Sequence, residues 1–353
     1  MLLIDRTARG EATLGDLVLA VTVAVTLRSA IQDTLFAVSY TVDGRTLVEP
    51  LLWLRDYAAT ARTSGHRPTP TRLRTGITLD RVGLTYPGTE RPALDDISCR
   101  LTAGTVVAVV GEYGSGKTTL VKLLTKLYRP NHGRILVDGV DLADIATTGW
   151  RGRISAAFQD FGRFHIAFGE TVGIGDLAHL RDIGRIANAV HAADAHQLVD
   201  RLPAGLHTQL GRRFDGVELS EGQWQRTALA RASMRTEPLL FVLDEPTASL
   251  DAPSEHQIFQ RYLMRARDLA ARTGAITIIV SHRFSTVSGA DHILVLHEGR
   301  LVEQGTHSEL LAAGGRYARL YGIQATAYAD VSDETQVPAT GPGPRRPRDA
   351  PGR

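Results

Sequence analysis

The chain has 353 residues, 43% of them hydrophobic and 22% charged, which excludes a chain disordered throughout and a small disulfide-stapled fold. At about 100 to 200 residues per domain the length allows two or three structural units. A net charge of +2, from 40 basic and 38 acidic residues, gives no field suited to a polyanion and argues against nucleic acid as a partner.

Residues 1–62 form a first block. LVLAVTVAVTL, from Leu17 to Leu27, carries no charge; Arg28, Gln32 and Asp33 interrupt, and a second apolar run covers Leu35 to Val42. Each run is shorter than the roughly 18 to 20 residues of a membrane span. Joined they are long enough, with Arg28 and Asp33 then inside the bilayer and tolerable only facing a helix bundle or a wet cavity. Five arginines (55, 62, 67, 72 and 74) follow the apolar runs against Arg6 and Arg9 before them, so a span would carry its C-terminal side into the cytoplasm. The mixed charges ahead of the run (Asp5, Arg6, Arg9, Glu11, Asp16) do not suit a signal peptide. A membrane helix and an amphipathic soluble helix both stay open. Residues 63–76, TSGHRPTPTRLRTG, lack apolar periodicity and read as a linker.

From Ile77 to Ile323 short apolar runs alternate with helical patterns. Thr105–Val110, Ile154–Phe158, Leu239–Leu243, Ala275–Val280 and Ile293–Leu296 read as strands, with Thr118–Leu127 and Gln223–Met234 among the helices between them. That alternation predicts an α/β domain with a largely parallel sheet. The single cysteine, Cys99, sits between apolar Ile97 and Leu101. It reads as inert core, and the absence of a second cysteine suits a reducing cytosol. Residues 324–353 end in GPGPRRPRDAPGR and read as a disordered, solvated tail that includes Arg345, Arg346 and Arg348.

The chemistry concentrates in the middle. Of the 40 basic residues only Lys117, Lys122 and Lys126 are lysines, all within one ten-residue stretch. TVVAVV runs into Gly111-Glu-Tyr-Gly114-Ser115-Gly116-Lys117-Thr118 and then a helical pattern, the strand-to-helix setting that G-x-x-x-x-G-K-[ST] requires. Glycines there let backbone N–H groups turn inward around phosphate oxygens, and the helix aims its positive end at them. Lys117 is placed to reach β- and γ-phosphates, Thr118 to ligate Mg²⁺, and Thr119 follows as a further contact. No comparable chemical reason attaches to Lys122 or Lys126. Downstream, LLFVLDEPTASLD sets Asp244 at the end of an apolar strand, where it can hold Mg²⁺, and Glu245 next to it as a general base for water. A phosphate loop and two carboxylates make a nucleotide hydrolase.

Between these elements lies Leu219-Ser220-Glu221-Gly222-Gln223, followed by WQRTALARA. This resembles the LSGGQ signature of ATP-binding-cassette (ABC) proteins, with Glu221 in place of the second glycine. The resemblance implies a P-loop NTPase fold of the ABC type spanning 77–323 and binding ATP with Mg²⁺. It further implies a second cassette, whose ATP pocket is completed in trans by Ser220, Gly222, Gln223 and Asp251, the last in a loop SLD that crosses between subunits. Three more positions match the family in order. Tyr86 in LTYPG resembles the aromatic that stacks on adenine, Gln159 in FQD the glutamine that senses Mg²⁺ and the γ-phosphate, and His282 in IVSHR the histidine that contacts the γ-phosphate.

The approach to the signature, LPAGLHTQLGRRFDGVELSEGQ, resembles exporters, with Arg212 where they often carry Glu. GEATLGDLV and LLWLRDYAATAR resemble the two ends of an exporter's last membrane helix. On this reading 1–62 is an α-helical remnant of a membrane domain whose other five helices are missing, Arg28 and Asp33 line a substrate path, and the protein sits at the cytoplasmic membrane with its ATPase on the cytoplasmic side. A soluble ABC ATPase recruited to a separate partner is the alternative. A chromosome-maintenance ATPase is disfavoured because only 100 residues separate Thr118 from Leu219, without sustained heptads. Translation and DNA-repair types carry two cassettes. A regulatory, non-hydrolysing cassette does not suit the retention of Lys117, Glu245 and His282.

Overall fold

The computed structural model describes residues 13–61, 65–246, 252–282 and 287–324. The chain divides into two compact units, 1–63 and 64–353.

The described part of the first unit is a single helix, α1 (Leu14–Ala61), with Thr13 and Asp16 bonded to each other at its start. At 1.5 Å per residue its 48 residues span about 72 Å, more than twice a ~30 Å hydrocarbon layer. Its apolar side chains are exposed, among them Leu19 (64%), Phe36 (73%) and Trp53 (66%). The hydroxyls of Thr22, Thr34 and Thr41 donate to carbonyls four residues back, at 2.8, 2.7 and 2.7 Å, so these polar groups do not depend on water for partners.

The second unit begins with the segment that the sequence presents as a linker. From Arg67 onward this segment is tied down. Arg67 exchanges backbone hydrogen bonds with Asp144 and Ala146. The amides of Arg74, Thr75 and Gly76 all donate to the Asp138 carboxylate, at 2.9, 2.7 and 2.9 Å. Then follow β1 (Gly76–Leu84), β2 (Leu94–Thr102), β3 (Val106–Val110), α2 (Lys117–Leu124), β4 (His132–Val137), β5 (Val140–Asp141), α3 (Thr147–Gly152) and β6 (Ile154–Ala157). After these come α4 (Phe168–Gly173), α5 (Ile183–Ala192), α6 (His196–Arg201), α7 (Glu221–Ala232), β7 (Leu240–Asp244), α8 (Ala252–Thr273), β8 (Ile276–Val280), β9 (His292–His297), β10 (Arg300–Gly305) and α9 (His307–Ala312).

Two sheets result, an antiparallel one ordered β2-β1-β4-β5 and a six-stranded one ordered β10-β9-β3-β8-β7-β6. In the larger sheet β3 pairs in parallel with β8 and β9, and β7 with β8 and β6. Strand alternation assigns its faces. Val107 and Val109 of β3 pack with Ile77, Leu79 and Val82 of β1 and with Leu120 and Leu124 of α2, between the sheets. Val106, Ala108 and Val110 pack on the opposite side with Phe168, Trp224, Phe259 and Leu263, under the helices. Burial on both faces explains why β3, β7 and β8 read as continuous apolar runs. Cys99 lies in the inter-sheet core, where burial pushes its thiol up to about 12, which makes it unreactive.

Candidate nucleotide site

The parallel register fixes where the chemistry gathers. Val109 and Asp244 both pair with Val280, and Ala157 with Leu243, so β3, β6, β7 and β8 end level with one another. The residues just beyond those ends, 111–118, 159, 244–245 and 282, therefore meet at one edge of the sheet although 170 positions separate the first from the last. This C-terminal edge is where open α/β sheets bind their ligands.

A cavity of about 490 Å³ opens there, lined by Gly114, Ser115, Gly116, Lys117, Thr118, Thr119, Gln159, Asp244 and Glu245. The glycines are required by the loop's shape. Gly111, Gly114 and Gly116 have φ of +151°, +76° and +101°. A Cβ on Gly111 would come within 2.2 Å of the Leu296 carbonyl oxygen, and one on Gly116 within 2.7 Å of that of Ala93. Lys117 is buried, and its Nζ donates to the carbonyls of Gly111 (2.9 Å) and Glu112 (2.8 Å), spanning the loop from inside. Desolvation lowers its pKa, opposed by the negative fields of Glu245 and Asp244.

Asp244 is 3% exposed and its pKa is pushed up to about 6, first by burial and also by Glu245 and Asp160, against a hydrogen bond from Thr118 and the charge of Lys117. The Thr118 hydroxyl donates to its Oδ2 at 3.2 Å, while Oδ1 is buried with no partner among the described residues. A hydroxyl and a carboxylate with an uncommitted oxygen, beside the phosphate loop, fit Mg²⁺, a hard cation that takes one or two protein ligands and completes its shell with phosphate and water. Among the described residues no cluster of three His, Cys, Asp or Glu offers a site of another kind.

Glu245 stands at φ +51°, with its Oε1 3.2 Å from His282 Nδ1. That pair sets a carboxylate and an imidazole side by side at the cavity's edge. Tyr86 is not a lining residue. Its hydroxyl is 3.2 Å from that of Thr119 and its ring meets Tyr128 edge-on at 5.1 Å.

Ser220, Gly222 and Gln223 do not line this cavity, whereas Glu221 lines an adjoining one together with Gln159, Asp244 and Glu245. Ser220 caps α7 in a reciprocal arrangement in which its hydroxyl accepts from Gln223 N–H while Gln223 Oε1 accepts from Ser220 N–H at 2.8 Å. The Ser220 hydroxyl thus lies beside the amides of the first helical turn. Glu221 forms an exposed ion pair with Arg163. Asp251 lies outside the described residues.

Several neighbours were not legible in advance. Glu112, second in the phosphate loop, is held by Arg316 at 2.9 Å and lies 3.6 Å from His297. Gln324 donates to the carbonyl of His282. Lys122, Asp160 and Leu127 join the cavity wall. The contacts of Glu112 and Gln324 depend on partners 204 and 42 residues away, which spacing does not reveal.

Fold and site together define a P-loop nucleotide-binding domain. Residues 94–248 match the ABC transporter family. Over 329 residues the chain is 40% identical to an ATP-dependent lipid A-core flippase of Pseudomonas putida, covering 92% of this chain and 52% of that protein. Over 317 residues it is 39% identical to one of Aromatoleum aromaticum, covering 90% and 51%. Among solved structures it is similar to a bacterial Atm1-family ABC exporter with ATP bound, with TM-score 0.65, 34% identity, and 74% of this chain and 44% of that one covered. Residues 94–248 therefore form a domain of the ABC transporter family, and the chain around it is similar to exporter-type ABC ATP-binding proteins. The chain spans about half the length of the curated relatives it matches.

Proposed function

We propose that the chain is the ATP-binding and ATP-hydrolysing part of an ABC exporter, working as a pair of cassettes that close on two Mg-ATP and drive a membrane domain. The observation that carries this reading is the cavity that joins the phosphate loop, Lys117, Thr118, Gln159, Asp244 and Glu245. In it the loop amides and Lys117 bind the β- and γ-phosphates, and Thr118, Asp244 and Gln159 hold Mg²⁺, which when bound spreads the charge of the phosphate oxygens. Glu245 accepts the proton of the attacking water, and His282, against the same carboxylate, steadies the γ-phosphoryl group. Tyr86 offers its ring to adenine. Ser220, Gly222, Gln223 and Asp251 serve the nucleotide held by the second cassette. Closure does work on the membrane domain only through tighter binding of ATP to the closed state.

The exposed apolar side chains and length of α1 support a helix that crosses the cytoplasmic membrane and continues beyond it, with the ATPase on the cytoplasmic side. The flippase relatives favour an amphiphile as cargo over a small polar solute. The purified chain should bind ATP, and Lys117→Ala should weaken that binding by at least about tenfold, the loss expected when a charge-assisted phosphate contact is removed. Equal affinity of the two proteins by nucleotide titration would remove Lys117, and this reading of the cavity, from the account.

A further inference from the structure

Glu245 is the only described non-glycine residue lining the cavity with positive φ. For a residue with a Cβ the left-handed conformation costs about 1–2 kcal/mol, and it persists only where the surroundings over-determine it. Here both adjoining peptide groups are held. The Glu245 N–H donates to the Val280 carbonyl of β8 at 2.9 Å, and the Glu245 carbonyl accepts from Gln225 Nε2 at 3.0 Å. The first contact comes from a neighbouring strand of the rigid sheet. The second comes from α7.

Gln225 is only 9% exposed, and its Oε1 is buried with no partner among the described residues. A carbonyl can only accept, so the amide faces Glu245 with its nitrogen, and this one contact orients it. Gln225 lies five residues after Ser220, about 7.5 Å along the helix axis from the cap that opens α7. Between them α7 is regular helix, so the cap and Gln225 shift as one body.

We infer that Gln225 is a positioning residue: it holds the general base in its left-handed posture and makes that posture follow the N-terminus of α7. The inference rests on the sandwich reading above, in which that N-terminus touches the nucleotide of the second cassette. A nucleotide gripped mainly by the partner's phosphate loop then sets Glu245 of this chain, and the two sites fire together. On that reading the coupling between the two sites passes through Gln225, and its loss is read in the Hill coefficient of turnover.

The test is Gln225→Met in the full chain, which keeps the volume and removes the donor. ATP affinity should stay within about twofold of wild type, kcat should fall by about tenfold or more, and the Hill coefficient of turnover should drop from above 1 to 1. In a Glu245→Gln background the same change should cost no further turnover. Gln225→Ala serves if the methionine variant does not fold. Unchanged kcat and Hill coefficient in a folded variant, a further loss on top of Glu245→Gln, or a wild-type Hill coefficient of 1 overturns the inference while leaving the ATPase reading intact. Absence of ATP hydrolysis by wild type would overturn that reading itself.

Discussion

Asp244 shows how a site residue bears on the stability of the empty fold. Its folded pKa, about 6, lies above its ordinary value of 3.8 because burial disfavours the charge. A carboxyl raised in this way contributes stability that is fully present below the unfolded value and lost as pH rises through the folded one. At neutral pH the ionised group costs at most about 3 kcal/mol. Asp244→Asn keeps a group able to bond Thr118 and removes the charge. Without nucleotide or metal the variant should therefore melt higher than wild type at pH 7.5, with the gap closing toward pH 4. The gain falls short of the full figure because Lys117 loses a counter-charge. A melting curve that is lower for Asn at pH 7.5, or a gap independent of pH, would contradict this account of Asp244.

The three lysines separate at the same scale. Lys117 spans carbonyls inside the phosphate loop. Lys126, for which the sequence offers no reason, is buried with its Nζ donating to the carbonyls of Leu142 (2.7 Å), Ala143 (3.4 Å) and Ile145. A compact ammonium fits such a carbonyl cage and a planar guanidinium does not. Its role is structural, and it was hidden because the cage is made by a turn 16 to 19 residues away. Lys122 lines the nucleotide cavity.

Among elements, those with local signals were the legible ones. The phosphate loop carries its glycine pattern, β7 its apolar run ending in Asp244, and α7 its cap three residues ahead of Gln223. The linker, by contrast, looked free because its pattern lacks periodicity, yet its later amides are fixed by Asp138, 62 to 64 residues away. The pairing of Glu221 with Arg163, and of Glu112 with Arg316, likewise depends on tertiary neighbours that spacing does not reveal. For α1 the sequence left two readings open, and its exposed apolar side chains favour the membrane. Expressed in bacteria, the full chain should sediment with membranes and resist extraction by high salt, which strips charge-held proteins. Recovery in the soluble fraction, with ATPase activity, would favour a soluble cassette recruited to a partner.

At the scale of the whole molecule, parallel pairing levels the ends of β3, β6, β7 and β8 and so assembles one site from segments scattered over the chain. On the proposed sandwich reading, the N-terminus of the signature helix serves the nucleotide of a second cassette, and this site is completed by that cassette in turn. The most direct measurement of this account is ATP turnover and ATP affinity of Glu245→Gln beside wild type, with the oligomeric state followed in Mg-ATP. Removing the general base while keeping the side chain's shape should lower turnover by about 10²- to 10⁴-fold, preserve ATP affinity, and accumulate a nucleotide-bound dimer. Wild-type turnover by the variant, or loss of ATP binding along with activity, would contradict the account.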